Sequence, residues 1–207
     1  MKSKFCLTLT VLILLLAGCA REQEIPVENF TYARSVSQEE AAVRDAFVAA
    51  ATAKLGMNEK DGSHKAIIDQ YNAHEPLAQG YPVKYDDEWC ATFVSAVAIE
   101  QGLTDIIPTE CSCERQINLF KDLDRWQEDD AYVPLPGDII YYRLGNKDTG
   151  DCTKWANHVG IVIGTCDGKI RVIEGNNGGI VAYRTLPMDD PIIRGFALPD
   201  FEPAIEA

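Results

Sequence analysis

The sequence predicts an α+β domain in which N-terminal helices pack on a five- to six-stranded antiparallel sheet. Two observations carry this prediction. Up to about residue 124 the apolar residues recur at helical spacing, whereas from residue 136 onward they form short β-branched runs bounded by Gly, Pro, Asn or Asp. Helices that precede strands, instead of alternating with them, are typical of the α+β class. The 207 residues suffice for one domain with a sizeable core.

Helix signals come first along the chain. Ser37-Gln38-Glu39-Glu40 has the form of a capping box and begins a helix predicted over about 38–55, which Gly56 ends. The remaining helices are predicted over 64–73, 89–101 and 113–124. The third contains Trp89-Cys90-Ala91-Thr92-Phe93, and Gly102 ends it.

Strand signals follow. Five segments read as strands of an antiparallel sheet, namely PGDIIYYR (136–143), NHVGIVIG (157–164), KIRVIEGN (169–176), GIVAYRT (179–185) and PIIRGFAL (191–198). Thr165-Cys166-Asp167-Gly168 separates the second from the third and is a hairpin signal.

The N-terminus has the organisation of an export signal. Lys2 and Lys4 precede an apolar run that ends in Leu16-Ala17-Gly18-Cys19, which resembles the lipobox of bacterial lipoproteins. The resemblance implies a signal peptide over 1–18, a lipid on Cys19, a tether over 19–36 and a domain over 37–207. The protein is then extracytoplasmic and anchored to the bacterial cell membrane. The alternative is a cleaved secretory signal with an incidental Cys.

Composition limits the partners. The formal net charge is −13, and phosphate binding relies on Lys and Arg, so we expect no nucleic-acid partner. The same charge offers no attraction to anionic lipid, which leaves the N-terminal lipid as the contact with the membrane. We expect a monomer that needs no cofactor.

Cys90 is the first candidate for chemistry. It lies at the start of a predicted helix, where unpaired N–H groups and the helix dipole stabilise a thiolate. The alternative is a small buried hydrophobic residue, which free Cys often is.

His158 supplies the base that a thiol nucleophile needs. If Thr165 pairs with Lys169, then His158 lies opposite Asn176, and Glu174 shares that face of the sheet. A helix-borne Cys, a strand-borne His and a Glu or Asn on the next strand can therefore converge, and the pattern leaves open which of Glu174 and Asn176 contacts His158.

The ordered set WCATFVS, PGDIIYY, NHVGIVIG and VIEGN resembles the CHAP domain, the cysteine, histidine-dependent amidohydrolase/peptidase related to NlpC-type enzymes, over about 80–200. The resemblance implies a papain-like fold and metal-free hydrolysis of a peptidoglycan amide bond. Cys90 would attack the carbonyl, His158 would move the proton, and Glu174 or Asn176 would hold the imidazole. Trp89, Tyr85 and Asn157 are the candidates to line the substrate cleft.

Four further cysteines of the exported part form an even set: Cys111, Cys113, Cys152 and Cys166. They form disulfides, remain reduced and buried, or bind zinc, and their spacing is not a standard zinc pattern.

Three functions follow from these residues. The first is a wall hydrolase, either a peptide endopeptidase or an N-acetylmuramoyl-L-alanine amidase. The others are a non-catalytic wall-binding lipoprotein and a transferase that passes an acyl or peptidyl group from Cys90 to an amine.

Overall fold

A computed structural model describes residues 26–129, 131–145, 152 and 155–202. Four α-helices lie in the first part of the chain: α1 (Gln38–Thr52), α2 (Lys65–Asn72), α3 (Cys90–Glu100) and α4 (Cys113–Asp122). Short 3-10 helices cover Val27–Asn29 and Ala78–Gly80.

One antiparallel sheet follows the helices. Its strands are β1 (Trp126–Gln127), β2 (Ile139–Tyr142), β3 (His158–Cys166), β4 (Lys169–Glu174), β5 (Ala182–Pro187) and β6 (Ile193–Ala197). They pair in the order β1-β6-β2-β3-β4-β5. The predicted α+β class and antiparallel sheet are confirmed. The two-residue β1 is an addition, because so short a segment carries no strand periodicity.

The helix signals act where the sequence places them. The Ser37 hydroxyl accepts a hydrogen bond from the Glu40 N–H at 3.0 Å, so α1 begins with a satisfied cap. The helix ends at Thr52, a few residues earlier than predicted, and a turn leads to Gly56, whose φ of 87° favours glycine.

Each face of the sheet buries an apolar cluster. Side chains alternate along a strand, so Ile139 and Tyr141 of β2 face the helices, whereas Ile140 and Tyr142 face the opposite cluster. The helices pack on the first face only. Helix α3 lies at the centre of that layer and is buried from Cys90 to Ala98.

Part of the predicted tether belongs to the domain. The Thr31 N–H donates to the Thr165 carbonyl at 3.2 Å, and the Thr165 N–H donates to the Thr31 carbonyl at 3.1 Å. Phe30, next to Thr31, is buried. Removing its apolar side chain from water stabilises the packing of this segment on the domain. The assignment of 19–36 as a tether is therefore too long at its C-terminal end.

The signal peptide predicted over 1–18, Cys19 and the first residues of the tether lie outside the described residues. Within the part of the chain that the structure describes, no helix is long and apolar enough to cross a membrane.

Candidate active site

Cys90 is the first residue of α3. The first N–H groups of α3, including that of Cys90, have no acceptor within the helix. Trp89 precedes the helix, and its side chain makes no capping hydrogen bond to them. The Cys90 side chain is 5% exposed. The positive end of the helix dipole stabilises a thiolate at this position.

His158 and Glu174 meet beside this thiol. His158 is the first residue of β3 and Glu174 is the last of β4. Nε2 of His158 lies 3.1 Å from Oε2 of Glu174, and the carboxylate is fully buried. Because Glu174 engages Nε2, Nδ1 is the ring nitrogen left for the Cys90 thiol.

Asn176 forms its side-chain hydrogen bond away from His158. Its amide donates to Oε2 of Glu88 at 2.6 Å, and its backbone turns into the left-handed region with φ 56°. The strand β4 ends at Glu174, so Asn176 already belongs to the turn that follows. Of the two residues that the sequence left open, Glu174 is the one within hydrogen-bond distance of the imidazole.

Two further residues complete this cluster. Nε of Arg184 donates to Oε1 of Glu174 at 2.5 Å. The Tyr142 ring lies opposite His158 in the sheet and stacks on it, with ring centres 6.0 Å apart and an interplanar angle of 23°. Sequence reasoning missed both. Pairing the predicted strand 179–185 with 169–176 would have placed Arg184 diagonally across from Glu174.

The electrostatics of the cluster favour a thiolate and an imidazolium. A hydrogen bond from Cys113 and one with His158 lower the pKa of Cys90 to about 5, against the effect of burial. Burial lowers the pKa of His158, but its hydrogen bonds with Cys90 and Glu174 outweigh burial and raise that pKa to about 9. At neutral pH the two side chains therefore form an ion pair.

Glu174 remains ionised despite its position. Burial raises its pKa, but hydrogen bonds with His158 and Arg184 have the larger combined effect and hold that pKa below its usual value. An ionised, fixed carboxylate next to Nε2 is what keeps the imidazole charged and oriented.

Cys113 lies against Cys90. It is the first residue of α4, and the two Sγ atoms are 3.8 Å apart. Both side chains are buried. The sequence analysis grouped Cys113 with Cys111, Cys152 and Cys166. Spacing along the chain does not show that the first residues of α3 and α4 are neighbours in space.

Cys90, Cys111, Cys113, Cys152 and Cys166 are free thiols in the structure, so of the three alternatives the disulfides are not formed and the thiols are reduced. Cys113 and Cys152 are buried, whereas Cys111 and Cys166 are partly exposed. The zinc alternative also finds no support among the described residues, in which no three His, Cys, Asp or Glu side chains are arranged to hold a metal ion.

The three predicted cleft residues differ in their exposure. Trp89 is fully buried, because its ring packs beside His64 and its Nε1–H donates to Glu59 at 3.0 Å. It supports the start of α3 and cannot line an open cleft. Asn157 is exposed, but its side-chain amide is bonded to the N–H and carbonyl of Leu144 at 2.7 and 3.1 Å.

Tyr85 is about half exposed, and its hydroxyl donates to Asp69 at 2.6 Å. It borders a groove with Val83, Lys84 and His64. His64, which its polar surroundings in the sequence suggest to be a surface residue, is buried. Its Nδ1 and Nε2 lie 3.2 and 3.0 Å from the carbonyls of Asn58 and Tyr85.

A close contact joins the sheet to α3 at this point. A Cβ added at Gly175 would lie 2.3 Å from Cβ of Phe93 and 3.0 Å from the Trp89 ring. Only glycine lets the end of β4 approach the helix so closely, and this approach sets Glu174 beside the start of α3.

The segment that contains these side chains is similar to a known protein family. Residues 80–176 match the family model of the CHAP domain. This match confirms the resemblance to the CHAP family, whose members are typically amidases or peptidases, for that part of the chain. It includes Cys90, His158, Glu174 and Asn176. No curated protein and no solved structure matches the chain.

Proposed function

We propose that this protein is a peptidoglycan hydrolase that cleaves an amide bond with Cys90 as nucleophile. The observation that carries the proposal is the buried contact between His158 and Glu174 beside a thiol at a helix start, within the CHAP match. A thiol with a lowered pKa, a base and a group that orients the base are the parts that nucleophilic catalysis requires.

The proposed reaction uses these groups in turn. The Cys90 thiolate attacks the amide carbonyl, and the N–H of Cys90 at the start of α3 donates to the oxygen that becomes negative. The imidazolium of His158 gives its proton to the leaving amine. The neutral imidazole then takes a proton from water, the resulting hydroxide attacks the acyl carbon, and the C–S bond breaks, which releases the carboxylic acid and restores the Cys90 thiolate and the His158 imidazolium. Glu174 holds the ring throughout.

Digestion of purified peptidoglycan tests the proposal. We expect the purified protein to release fragments with new amino groups, identified by mass spectrometry. An endopeptidase exposes an amine within the stem peptide or cross-bridge, whereas an amidase frees the L-alanine amine and leaves the lactyl carboxylate on the sugar.

Cys90→Ala and His158→Ala should each lower the rate by at least about 10³-fold. Cys166→Ala, a change at the distant β3–β4 hairpin, serves as the matched control and should retain the wild-type rate. Circular dichroism should give the same spectrum for all four proteins. Near-normal digestion by folded Cys90→Ala protein would exclude this mechanism.

The same assay separates the alternatives. A transferase would place a new amide bond on an added amine acceptor, so its product carries the mass of the acceptor in place of water. A non-catalytic wall-binding protein would sediment with peptidoglycan and release no fragment.

We further propose that Cys19 carries the lipid and that the domain acts outside the cell, next to the membrane. The charged start, the apolar run and the Leu16–Cys19 sequence support this. Since the 3-10 helix Val27–Asn29 leads directly to Phe30 and Thr31, which pack on the sheet, about seven residues remain to extend between lipid and domain, with a reach of at most roughly 25 Å.

Membrane fractionation tests the location. Cys19→Ala should release the protein from the membrane fraction or block its processing, because a diacylated N-terminus supplies the two chains that stable anchoring takes. Cys6→Ala, a change within the predicted signal peptide, should leave the protein in the membrane. Retention of Cys19→Ala protein at the wild-type level would contradict the lipid anchor.

A further inference from the structure

We propose that Cys113 is a resolving cysteine for Cys90: once Cys90 is oxidised, Cys113 closes a reversible disulfide with it that stores the nucleophile in an inactive form. This regulation rests on the proposed function, since it acts on the same thiol. It gives the protein a modification site at the junction of α3 and α4.

The geometry of the two thiols carries the inference. Their sulfurs are 3.8 Å apart, and the S–S bond of a disulfide is about 2.0 Å long. The remaining gap is within reach of rotation about the Cα–Cβ bonds and small shifts of the two helix ends. Cys90 and Cys113 are 5% and 8% exposed, so the two thiols face each other in a largely buried position.

Both thiols stand at helix starts. Cys90 is the first residue of α3 and Cys113 is the first residue of α4, so two sets of unpaired N–H groups converge on the sulfur pair. Both helix starts therefore favour negative charge at the sulfur pair. This is the property that thiol–disulfide chemistry needs, because one sulfur attacks while the other accepts the charge.

The two thiols are not equivalent. The hydrogen bond from Cys113 is the largest of the effects that lower the pKa of Cys90, and the same contact raises the pKa of Cys113. Cys90 is thus the thiolate that an oxidant meets, and Cys113 remains the protonated partner. A low-pKa cysteine beside a resolving thiol is the arrangement of redox-sensing sites.

The neighbouring Cys111 is directed elsewhere. Its thiol lies 3.6 Å from Oε1 of Glu110 and 3.9 Å from Nε2 of Gln79. It is two residues from Cys113 in the chain but takes part in a different cluster, which makes it the matched control.

Hydrogen peroxide is the oxidant that we name. The Cys90 thiolate attacks one peroxide oxygen, the O–O bond breaks, and with one proton the products are the Cys90 sulfenic acid and water. The Cys113 sulfur then attacks the Cys90 sulfur, the S–O bond breaks, and the Cys113 proton leaves with the hydroxyl as a second water. Two electrons pass from the two thiols to the peroxide. Two equivalents of a thiol such as glutathione reverse the reaction.

The experiment treats the purified wild-type protein, Cys111→Ser and Cys113→Ser with hydrogen peroxide and then with dithiothreitol. Peptide mapping by mass spectrometry identifies the oxidation product at each cysteine, and peptidoglycan digestion is measured before oxidation, after oxidation and after reduction. The rate of each protein is compared with its own untreated rate.

We expect wild-type and Cys111→Ser protein to yield a peptide that links Cys90 to Cys113, to lose activity at least about tenfold, and to recover it on reduction. In Cys113→Ser protein, Cys90 should pass on to the sulfinic acid, and the lost activity should not return.

Three results would overturn the inference: sulfinic acid at Cys90 in the wild-type protein with Cys113 still reduced, a linkage of Cys90 to another cysteine, or recovery by Cys113→Ser protein equal to that of the wild type. The peptide map does not depend on turnover. A protein that forms the linkage but digests no peptidoglycan would therefore refute the proposed function and leave the disulfide established.

Discussion

Charge alternates along a row of four buried or half-buried side chains. The Cys90 thiolate, the His158 imidazolium, the Glu174 carboxylate and the Arg184 guanidinium follow one another through hydrogen bonds. Each charge has an opposite neighbour, and the four sum to zero. Burying an isolated charge is costly, so this pairing is what makes an ionised thiol tolerable in the interior.

The first residue-scale prediction concerns pH. Since the pKa of Cys90 is lowered to about 5, its thiolate is present above that pH, and since the pKa of His158 is raised to about 9, its imidazolium is present below that pH. Alkylation of Cys90 by iodoacetamide should therefore rise through about pH 5, and kcat/KM for digestion should fall above about pH 9.

Cys166 provides the internal comparison for this measurement. Burial and Asp167 raise its pKa, so its alkylation should begin only in the alkaline range. Quantifying both alkylated peptides in one digest gives the two midpoints together. Coincident midpoints for Cys90 and Cys166 would contradict the ion pair.

The second residue-scale prediction separates Glu174 from Asn176. Glu174→Gln keeps the shape of the side chain but removes the negative charge beside Nε2, so we expect kcat to fall by roughly 10²–10⁴-fold. The alkaline limb of the pH profile should also move to lower pH, because the imidazolium loses its partner.

Asn176→Gly is the matched variant, since glycine tolerates the positive φ at this position and only the contact with Glu88 is lost. We expect it to retain kcat within about tenfold of the wild-type value. A larger loss in Asn176→Gly than in Glu174→Gln would mean that the orienting residue has been misassigned.

The sequence predicts those site residues that a helix or strand pattern marks, and it does not predict those that reach the site only through tertiary packing. Cys90 follows a helix-start pattern, and His158 and Glu174 follow from strand alternation. Arg184 and Cys113 reach the site through tertiary packing. The exposure of Trp89 was misjudged for a related reason, because its burial depends on Glu59 and His64, which lie far away in the sequence.

At the scale of elements, the strand pairing predicted at the turn of the β3–β4 hairpin was wrong by one residue, but the predicted position of His158 relative to Glu174 was correct. The sequence pairs Thr165 with Lys169, but the structure pairs Cys166 with Lys169 and Thr165 with Ile170. An irregularity between Val162 and Gly164 shifts the register by one residue. Beyond it Ile161 pairs with Ile173, as predicted, which returns His158 to the face of Glu174.

The element-scale prediction concerns the contact between β4 and α3. Gly175→Ala would force a Cβ into Phe93 in a buried layer, so the end of β4 must move away from the helix. We expect the free energy of unfolding to fall by about 1–3 kcal/mol. We also expect kcat/KM to fall by roughly 10²-fold in protein that is still folded, because Glu174 moves with the strand.

Gly178→Ala is the control for this change. It lies in the turn after β4, where an added Cβ meets no atom within 4 Å and only the positive φ opposes it. Urea unfolding and digestion rates should show a modest loss of stability with little change in kcat/KM. Equal effects of the two variants on kcat/KM would show that the close approach at Gly175 does not position the site.

On the scale of the whole molecule, the folding unit is larger than the family match. The core cluster on the helix side of the sheet includes Phe47 of α1, Ile67 and Ile68 of α2 and Phe201 near the C-terminus, all outside residues 80–176. The capping box indicated α1 from the sequence alone. The packing of Phe201 was not predictable, since no periodic pattern marks a single aromatic residue after the last strand.

Arg44 and Asp138 join these distant parts. The Arg44 guanidinium donates to Oδ1 of Asp138 and to the Pro136 carbonyl, both at 2.9 Å, and its centre lies 4.4 Å from the middle of the Phe201 ring. Oδ2 of Asp138 accepts from the Tyr132 hydroxyl at 2.5 Å. The Asp of the Pro-Gly-Asp motif, which contributes to the CHAP resemblance, thus has a structural role.

Breaking this network should destabilise the whole fold while the site chemistry remains. Asp138→Ala leaves the buried Arg44 guanidinium with Glu40 as its carboxylate partner and removes the acceptor of the Tyr132 hydroxyl, so we expect the free energy of unfolding in urea to fall by about 3 kcal/mol. Lys121→Ala breaks a solvent-exposed ion pair with Glu128, and its effect should be at most about 1 kcal/mol.

Below its unfolding transition, Asp138→Ala protein should keep the pH profile of the wild type, because the side-chain hydrogen bonds of Asp138 go to Arg44, Tyr132 and Leu135. Equal losses of stability in the two variants would show that α1 and the C-terminal segment are held by apolar packing alone, without the help of this buried ion pair.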